Sequence, residues 1–436
     1  MITLAAGFGS GGIIRHTLTD DLAHQIHLPV VSGVNSHEYW MQRALQCAMQ
    51  SIGITSPNPA VGCVIVKNNQ LIAQGATESY GNRHAERVAI ESVSDRSLLQ
   101  GATIYITLEP CSHFGKQPPC VHLVKSCGFE KCVIGIADPN PLVNGNGIRL
   151  LQASGVDVIT GVLENELLAW HTPFLLSQLL QRTIFIGKWA QTLDGQLAYD
   201  NGQSKWISGD ESRAYTHWLR QKYDAIMVGA GTAIADKPSL TVRNCALPHN
   251  RHPVRVIFDP RGRIFQSFTS ISDDFYKNTF SNLAPVLLII EQTVLDQVDT
   301  VIVQQIQKLS HVHILPMPAA VEPTTWLAEV LASQQVTAMV GRCIQSVMIE
   351  GGPRLLSLFF KNAMIDIAHT FTAPTIGGGR ENRLEIPAEY GRGWRMYPFA
   401  YNRLGEDIAV EYLSQSSIEK LQTICLQNVT RKLILS

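Results

Sequence analysis

The sequence predicts an α/β protein made of two α/β domains. Three observations lead there: the length of the chain, the alternation of strand-like and helix-like segments, and a change of motif vocabulary near residue 180. At 436 residues the chain exceeds what one hydrophobic core ordinarily holds, so size alone favours two or three domains. Hydrophobic residues are 45% and charged residues 16%, a balance that builds a packed core and excludes a disordered chain.

Taken in order, residues 1–36 open with small residues (Ala5, Ala6, Gly7, Gly9) and continue through Arg15 to the acidic pair Asp20 and Asp21. That order suits neither a signal peptide nor a transit peptide, and a poorly ordered extension is expected. From His37 onward Tyr39, Met41, Ala44, Leu45, Ala48 and Met49 recur on one helical face. Ser56-Pro57-Asn58-Pro59 cannot continue a helix, so a loop is expected to feed a buried strand over residues 61–66. Residues 84–92 read as helix, and residues 102–107 and 131–136 as strands. After a Leu/Gln-rich passage (175–182), strands are expected at 185–190, 225–228, 254–258, 285–290 and 347–349, with a helix over 212–222. Such alternation calls for at least partly parallel pairing. No internal repeat is visible.

Thirty-five basic against thirty-six acidic side chains give a formal charge of -1, so no global field draws the chain to nucleic acid. The apolar run Val286-Leu287-Leu288-Ile289-Ile290 is of strand length, which excludes a membrane span. Nine cysteines scattered along a long chain suit reduced thiols and a cytoplasmic compartment.

Two of those cysteines belong to a constellation. His84-Ala85-Glu86 is followed by Pro110-Cys111 and Pro119-Cys120. Zinc prefers nitrogen and sulfur donors in a tetrahedron, and catalytic sites leave one position to water, so His84, Cys111 and Cys120 form a full catalytic ligand set. Glu86, near a helix start, can then move the proton of that water. A lone His-x-Glu would more often be an ordinary surface or core pair, and buried cysteines are commonly plain hydrophobes. The joint pattern carries the argument against a structural zinc or no metal at all.

Eight residues separate Cys111 from Cys120, where cytidine and tRNA-adenosine deaminases characteristically have two. In this the chain resembles the deaminase of the riboflavin pathway. The resemblance implies a cytidine-deaminase-like α/β/α fold, with Asn58 gripping the pyrimidine and Asp138-Pro139-Asn140-Pro141 closing the domain. It brings His113 and Lys116 beside the metal, donors suited to a sugar phosphate, against the plainer reading of a solvated loop. Thr77 stands where the family commonly has a histidine and Gln117 where it has threonine, which bears on substrate affinity and not on zinc chemistry.

From Ile184 the sequence resembles the reductase half of the same pathway, of dihydrofolate-reductase-like fold. Its signatures are Lys188-Trp189-Ala190-Gln191-Thr192-Leu193-Asp194-Gly195, Gly202-Gln203-Ser204-Lys205-Trp206-Ile207-Ser208, His217-Trp218-Leu219-Arg220, and Gly229-Ala230-Gly231-Thr232. Asp236-Lys237-Pro238-Ser239-Leu240-Thr241-Val242-Arg243, Glu350-Gly351-Gly352-Pro353 and Gly377-Gly378-Gly379 complete the set. A glycine turn alone more often marks an ordinary bend than a nucleotide site. The resemblance implies that Gln191, Thr232, Asp236, Gly351 and Gly352 serve the cofactor, and that Ser204, Trp206, Arg220, Leu240, Arg243 and Glu350 serve the substrate.

The expectation is therefore a bifunctional enzyme. Residues 37–180 would be a zinc-dependent deaminase of 2,5-diamino-6-ribosylamino-pyrimidinone phosphate, and residues 181–415 an NADPH-dependent reductase of its ribosyl chain, with a tail at 416–436. Zn2+ and NADPH are the expected cofactors, and a cytoplasmic homo-oligomer without nucleic-acid or membrane partners is the expected form. Two rivals remain open at this point. One is a nucleic-acid deaminase, which the neutral charge and long inter-cysteine loop disfavour. The other is a protein with one active half and one structural or oligomerisation half, which Thr77 keeps open.

Overall fold

The structure is a computed structural model that describes residues 36–138, 145–199, 207–243, 245, 249–267, 274–379, 382–385 and 395–423. The expectations for residues 1–35, for Pro139, Asn140 and Pro141, and for Ser204 and Trp206 fall outside the described residues.

The first sheet contains β1 (Gly62–Lys67), β2 (Gln70–Ala76), β3 (Thr103–Leu108), β4 (Lys131–Ile136) and β5 (Asp157–Thr160), in the order β2-β1-β3-β4-β5. β1 runs antiparallel to β2 and β3, whereas β3, β4 and β5 are parallel. β2, which the hydrophobic pattern does not reveal, follows β1 through Asn68 and Asn69 at φ 51° and 58°, the backbone a two-residue hairpin turn demands. Helices α1 (His37–Met49) and α2 (Ala85–Glu91) cover opposite faces. Gly62 of β1 abuts the Ala44 carbonyl of α1, whereas Gly75, paired with Cys63 on the other face, abuts the Ala85 carbonyl of α2. A Cβ on Gly75 would stand 2.5 Å from that carbonyl oxygen and 2.6 Å from the Ala89 nitrogen, so only glycine lets α2 lie this close to the strand. Helices α3 (Cys120–Ser126) and α4 (Asn146–Ala153) complete this half, and α5 (Glu164–Leu180) leads out of it.

The second sheet has strands β6 (Ile184–Gln191), β7 (Ala225–Gly229), β8 (Val254–Phe258), β9 (Val286–Glu291), β10 (Val312–Met317), β11 (Ser346–Ile349), β12 (Ile367–Thr372), β13 (Met396–Leu404) and β14 (Asp407–Ser414). Their order is β10-β9-β8-β7-β11-β6-β12-β14-β13. The seven strands β6–β12 are parallel, and β14 and β13 add an antiparallel edge. Strands buried on both faces, such as β8 and β9, read as unbroken apolar runs for that reason. Helices α6 (Asp210–Lys222) and α7 (Ala230–Asp236) follow β6 and β7. Two α/β layers, each with its own sheet, are thus present, as the sequence leads one to expect. The helix Gln415–Gln422, which begins at the last residue of the expected reductase domain and runs into the expected tail, packs against α5.

α5 touches β4 of the first sheet and β6 and β11 of the second, so it is apolar on several sides. At its foot Arg182 forms paired hydrogen bonds of 2.8 and 2.9 Å to the buried Asp366 carboxylate, which also accepts from the Phe185 amide at 2.9 Å. That pair ties β6 to the start of β12. Within α5, His171 is 2% exposed with Nε2 3.4 Å from Thr107 Oγ1. Burial, helped by the charge of Lys222, pushes its imidazole down to about 3, so it is neutral in the fold. The unfolded chain takes up a proton near pH 6.5 that the folded chain refuses. Stability from neutral His171 is therefore whole above that value and drains away as pH falls towards 3, at about 1.4 kcal/mol per unit. His171→Gln should melt lower at neutral pH yet lose less melting temperature on acidification. Parallel melting curves for the two proteins across that interval would remove His171 from this role.

Candidate active sites

His84 is the residue before α2, extended at φ -77° and ψ 161°, and its side chain makes no capping bond. Its ring is thereby free to turn towards the first turn of α3, where Cys120 is the opening residue and Pro119 sets the entry. Cys111 follows the end of β3. The three meet as the sequence spacing implies: His84 Nδ1 lies 3.6 Å from Cys111 Sγ and 3.4 Å from Cys120 Sγ, and all three donor atoms lie within 4.8 Å of one another. Bond lengths of about 2.0 and 2.3 Å in a tetrahedron put nitrogen and sulfur about 3.5 Å apart, so the donors fit a zinc ion in spacing and in kind. The two thiols behave as a pair: hydrogen bonds from Cys120 and His84 hold Cys111 down to about 4, while the pairing with Cys111 and burial push Cys120 up. One shared negative charge beside an imidazole is a site arranged for a cation.

Glu86 is 4% exposed beside this group. Burial first, and then the charge of Cys111, push its carboxyl up to about 7, the range of a group that both takes and gives protons. It opens on a cavity of about 310 Å³ whose wall also includes Asn58, His113, Lys116 and Thr77. His113 Nδ1 is buried without a partner, and Lys116 lies 4.0 Å over the Tyr80 ring. Gln117 donates to the Gly81 carbonyl at 2.9 Å, so the long inter-cysteine loop is seated on the turn at Tyr80 and Gly81. Thr77 is a joint: its Oγ1 accepts from the Val61 amide at 3.2 Å, and its carbonyl accepts from Ser51 Oγ at 2.5 Å.

Sequence reasoning passed over Glu109, although it stands directly before Pro110-Cys111. This buried carboxylate accepts from the amides of Asp138 at 3.2 Å, Gly145 at 3.0 Å and Ile148 at 3.2 Å, gathering the segment that ends the domain. It also passed over Phe174 and Gln178 of α5, which line the same cavity. A charged residue fixed beside a ligand was the available signal for the first; the others depend on where α5 lies.

The second constellation gathers at the carboxyl ends of β6, β7, β11 and β12, where open parallel sheets bind ligands. Gly229 precedes α7 and Gly352 precedes the helix Pro353–Lys361. The Gly352 amide donates to Thr232 Oγ1 at 3.4 Å, so these two glycine turns are neighbours. Gln191 ends β6 with its amide held by Trp189 and Thr372. Asp236 is exposed one helical turn beyond Thr232. Asp194 accepts from the Gly377 and Gly378 amides at 2.8 and 2.9 Å and fixes the third glycine turn.

On the substrate side Arg220 grips Glu350 with two bonds of 2.6 and 2.9 Å and the Thr241 carbonyl with a third of 2.9 Å. Its fork is thus committed to a carboxylate. Burial alone would raise Glu350, but the charges of Arg220 and Lys188 outweigh it and hold the carboxyl below its ordinary value. Arg243 is exposed, with its guanidinium on Ser239 and Thr241 and its amide on His217 Nδ1. Leu240 is buried at φ 51°, a left-handed residue that turns the chain between Ser239 and Arg243. Lys188, quoted in its motif but given no role there, lies 5.0 Å over Phe371; burial pushes its ammonium down and Glu350 draws it back up.

Comparison with known proteins bears on both sites. Residues 34–136 match the family described as cytidine and deoxycytidylate deaminase zinc-binding region, and residues 183–407 match the RibD C-terminal domain. The riboflavin biosynthesis protein RibD of Actinobacillus pleuropneumoniae is 34% identical over 379 residues, covering 86% of this chain and 94% of that one. RibD of Aquifex aeolicus is 35% identical over 339 residues, covering 78% and 87%. Among solved structures, Acinetobacter baumannii RibD form 2 superposes with a TM-score of 0.68 at 30% identity, covering 87% of this chain and 99% of the other. A Thermotoga maritima diaminohydroxyphosphoribosylaminopyrimidine deaminase/5-amino-6-(5-phosphoribosylamino)uracil reductase superposes with a TM-score of 0.69 at 32% identity, covering 87% and 98%.

Proposed function

Because the chain belongs to the RibD family of riboflavin-biosynthesis proteins, we propose that its two sites act in turn on one ribosylaminopyrimidine phosphate, with the residue roles given below. The protein is a bifunctional enzyme of riboflavin biosynthesis, a zinc deaminase joined to an NADPH-dependent reductase. Family matches cover both halves, and nothing favours a one-sided reading.

In the first site His84, Cys111 and Cys120 would hold zinc, which when bound supplies a Lewis acid that makes water nucleophilic near neutral pH. Glu86 takes the proton of the attacking water and passes it to the departing ammonia. Asn58 holds the pyrimidine edge, and His113 and Lys116 take the phosphate. The observation that carries this reading is the convergence of the three donors with an unligated, buried Glu86 in one cavity.

In the second site bound NADPH would supply the hydride that reduces the ribosyl carbon, in its opened or imine form, to the methylene of the ribityl chain. Gln191, Thr232, Asp236, Gly351 and Gly352 bind the cofactor; amides at a helix entrance suit its phosphates. Arg243, Leu240, Ser204 and Trp206 receive the substrate. The Arg220–Glu350 pair forms a charged floor, and the ammonium of Lys188 in the same cluster can deliver a proton. The division into residues 37–180 and 181–415 and a cytoplasmic homo-oligomer belong to the same proposal. The free cysteines support a reducing compartment, and no helix among the described residues is long and apolar enough to cross a membrane.

The full chain, given the diamino substrate without NADPH, should release ammonia and stop at the deaminated ribosyl compound; NADPH added afterwards should be oxidised in equal amount. Oxidation of NADPH before any ammonia appears would reverse the order assigned to the sites.

A further inference from the structure

The loop that carries Asn58 has two sides. One faces the zinc cavity. The other closes a second, smaller cavity of about 80 Å³ whose wall includes Lys222, Asp224 and Ser346 of the reductase half together with Trp170 and His171 of α5. Asn58, Pro59 and Phe174 line both spaces, so this segment is the partition between them.

Reductase residues touch the loop along most of its length. His249 Nε2 lies 2.8 Å from the Gln50 carbonyl, and Arg251 donates to the Ile54 carbonyl at 3.2 Å. Gly53, at φ 77°, comes so close to the Gln221 carbonyl that a Cβ there would stand 2.9 Å from its oxygen. The Ser56 hydroxyl has two acceptors of the reductase half within reach, the Cys343 carbonyl at 3.4 Å and the Asp224 carboxylate, and donates to one at a time. At the end of the loop, Trp170 donates to the Ala60 carbonyl at 2.9 Å, and its ring lies under the ammonium of Lys222.

From the deaminase side Ser51 Oγ holds the Thr77 carbonyl near one end of the loop, and Trp170 of α5 holds Ala60 at the other. The Asn58 amide bonds back to Thr55 within its own turn, and the Tyr80 amide reaches the Ile54 carbonyl at 3.4 Å. Between those ends the side-chain grips on this loop come from across the domain boundary, and all but the Ser56–Asp224 contact end on backbone carbonyls, which fix position and leave the chemistry alone.

We propose that the reductase domain is a positioning part of the deaminase site, and that Ser56 and Arg251 set where Asn58 stands for the pyrimidine. This rests on the assignment of Asn58 to the substrate. A loop free to drift would spend less time in the binding geometry, which raises KM and spares the chemical step once substrate is bound. The zinc ligands and Glu86 lie on α2, the end of β3 and α3, so metal content is independent of this contact.

The test uses the full chain with four changes: Asn58→Ala, Ser56→Ala, Arg251→Ala, and the last two combined. Zinc content, deaminase KM and kcat, and reductase turnover on the supplied deaminated intermediate are read for each. The double variant should raise the deaminase KM about tenfold with kcat within about twofold, the pattern of lost uniform binding. Zinc and reductase turnover should stay at the parent level, and Ser56→Thr with Arg251→Lys should recover part of the KM. If Asn58→Ala raises KM and the double variant does not, the positioning role is wrong while the substrate assignment stands. An unchanged KM in Asn58→Ala would overturn both. Loss of both activities together, without recovery in the conservative pair, would show general weakening of the fold and overturn the proposal as well.

Discussion

Glu86→Gln should abolish ammonia release, by about 10²- to 10⁴-fold in kcat, and leave zinc in place. The amide has the shape of the carboxylate, so packing around this buried position survives. It cannot take a proton from water or return one to a leaving amine. Metal retention follows from geometry, since the donors within 4.8 Å of one another are His84, Cys111 and Cys120, and Glu86 is not among them. Reductase turnover on the deaminated intermediate should match the parent, because Glu86 lies in the first sheet's layer and the glycine turns lie beyond the second. Ammonia assay, zinc analysis and NADPH oxidation on one preparation read all three. A variant that lost zinc together with activity would make Glu86 a ligand and would require a different base.

Arg220→Ala should disable the other site. Glu350 loses both of its short bonds, 2.6 and 2.9 Å, and a carboxylate whose side chain is 11% exposed is left with only the charges of Lys188 and Arg243 near it. Breaking one side of such a pair costs about 3 kcal/mol or more, because the remaining charge stays out of water. The Thr241 carbonyl is released as well, so the segment that presents Leu240 and Arg243 loses an anchor. We expect reductase kcat/KM to fall about 100-fold, the scale of a small displacement of a positioning group. Zinc content should be unaffected. Arg220→Ala with Glu350→Ala should regain part of the stability, since the carboxylate is no longer stranded although Lys188 loses its counter-charge, yet remain inactive as a reductase. Recovery of turnover in the double variant would reduce the pair to a structural role.

The parts of the molecule that were legible in the sequence share a cause. His84, Glu86, Cys111 and Cys120 announce themselves because zinc chemistry demands particular atoms, and each is carried at the end of a strand or the start of a helix that the pattern marks. Strand β4 and strand β8 match the expected ranges because apolar runs buried on both faces look alike wherever they occur. β2 was hidden because its buried residues, Ala73 and Gly75, are small and its first two are exposed, and the Asn68-Asn69 pair was the signal that could have found it. α5 was read only as a Leu/Gln-rich passage, since a helix packed against both sheets has no polar face and so no period, and Pro173 interrupts it further.

The grips on the Asn58 loop were invisible for a different reason. They join side chains to backbone carbonyls nearly two hundred residues away, and a carbonyl has no sequence signature. Arg220 shows the same limit. Its residue type suited a phosphate, and only the fold reveals that a carboxylate from β11's end already fills its fork. Residue type predicts what a group can bind; the partner it meets is decided by topology.

Zinc-edge X-ray absorption on the full chain is the most direct check, because it counts the atoms around the ion. The geometry requires two sulfur neighbours at about 2.3 Å and one imidazole nitrogen at about 2.0 Å, with a light oxygen donor completing the shell. Substituting either Cys111 or Cys120 by serine should remove one sulfur from that count. A shell with no sulfur, or one unchanged in both serine variants, would contradict the site on which the deaminase assignment stands.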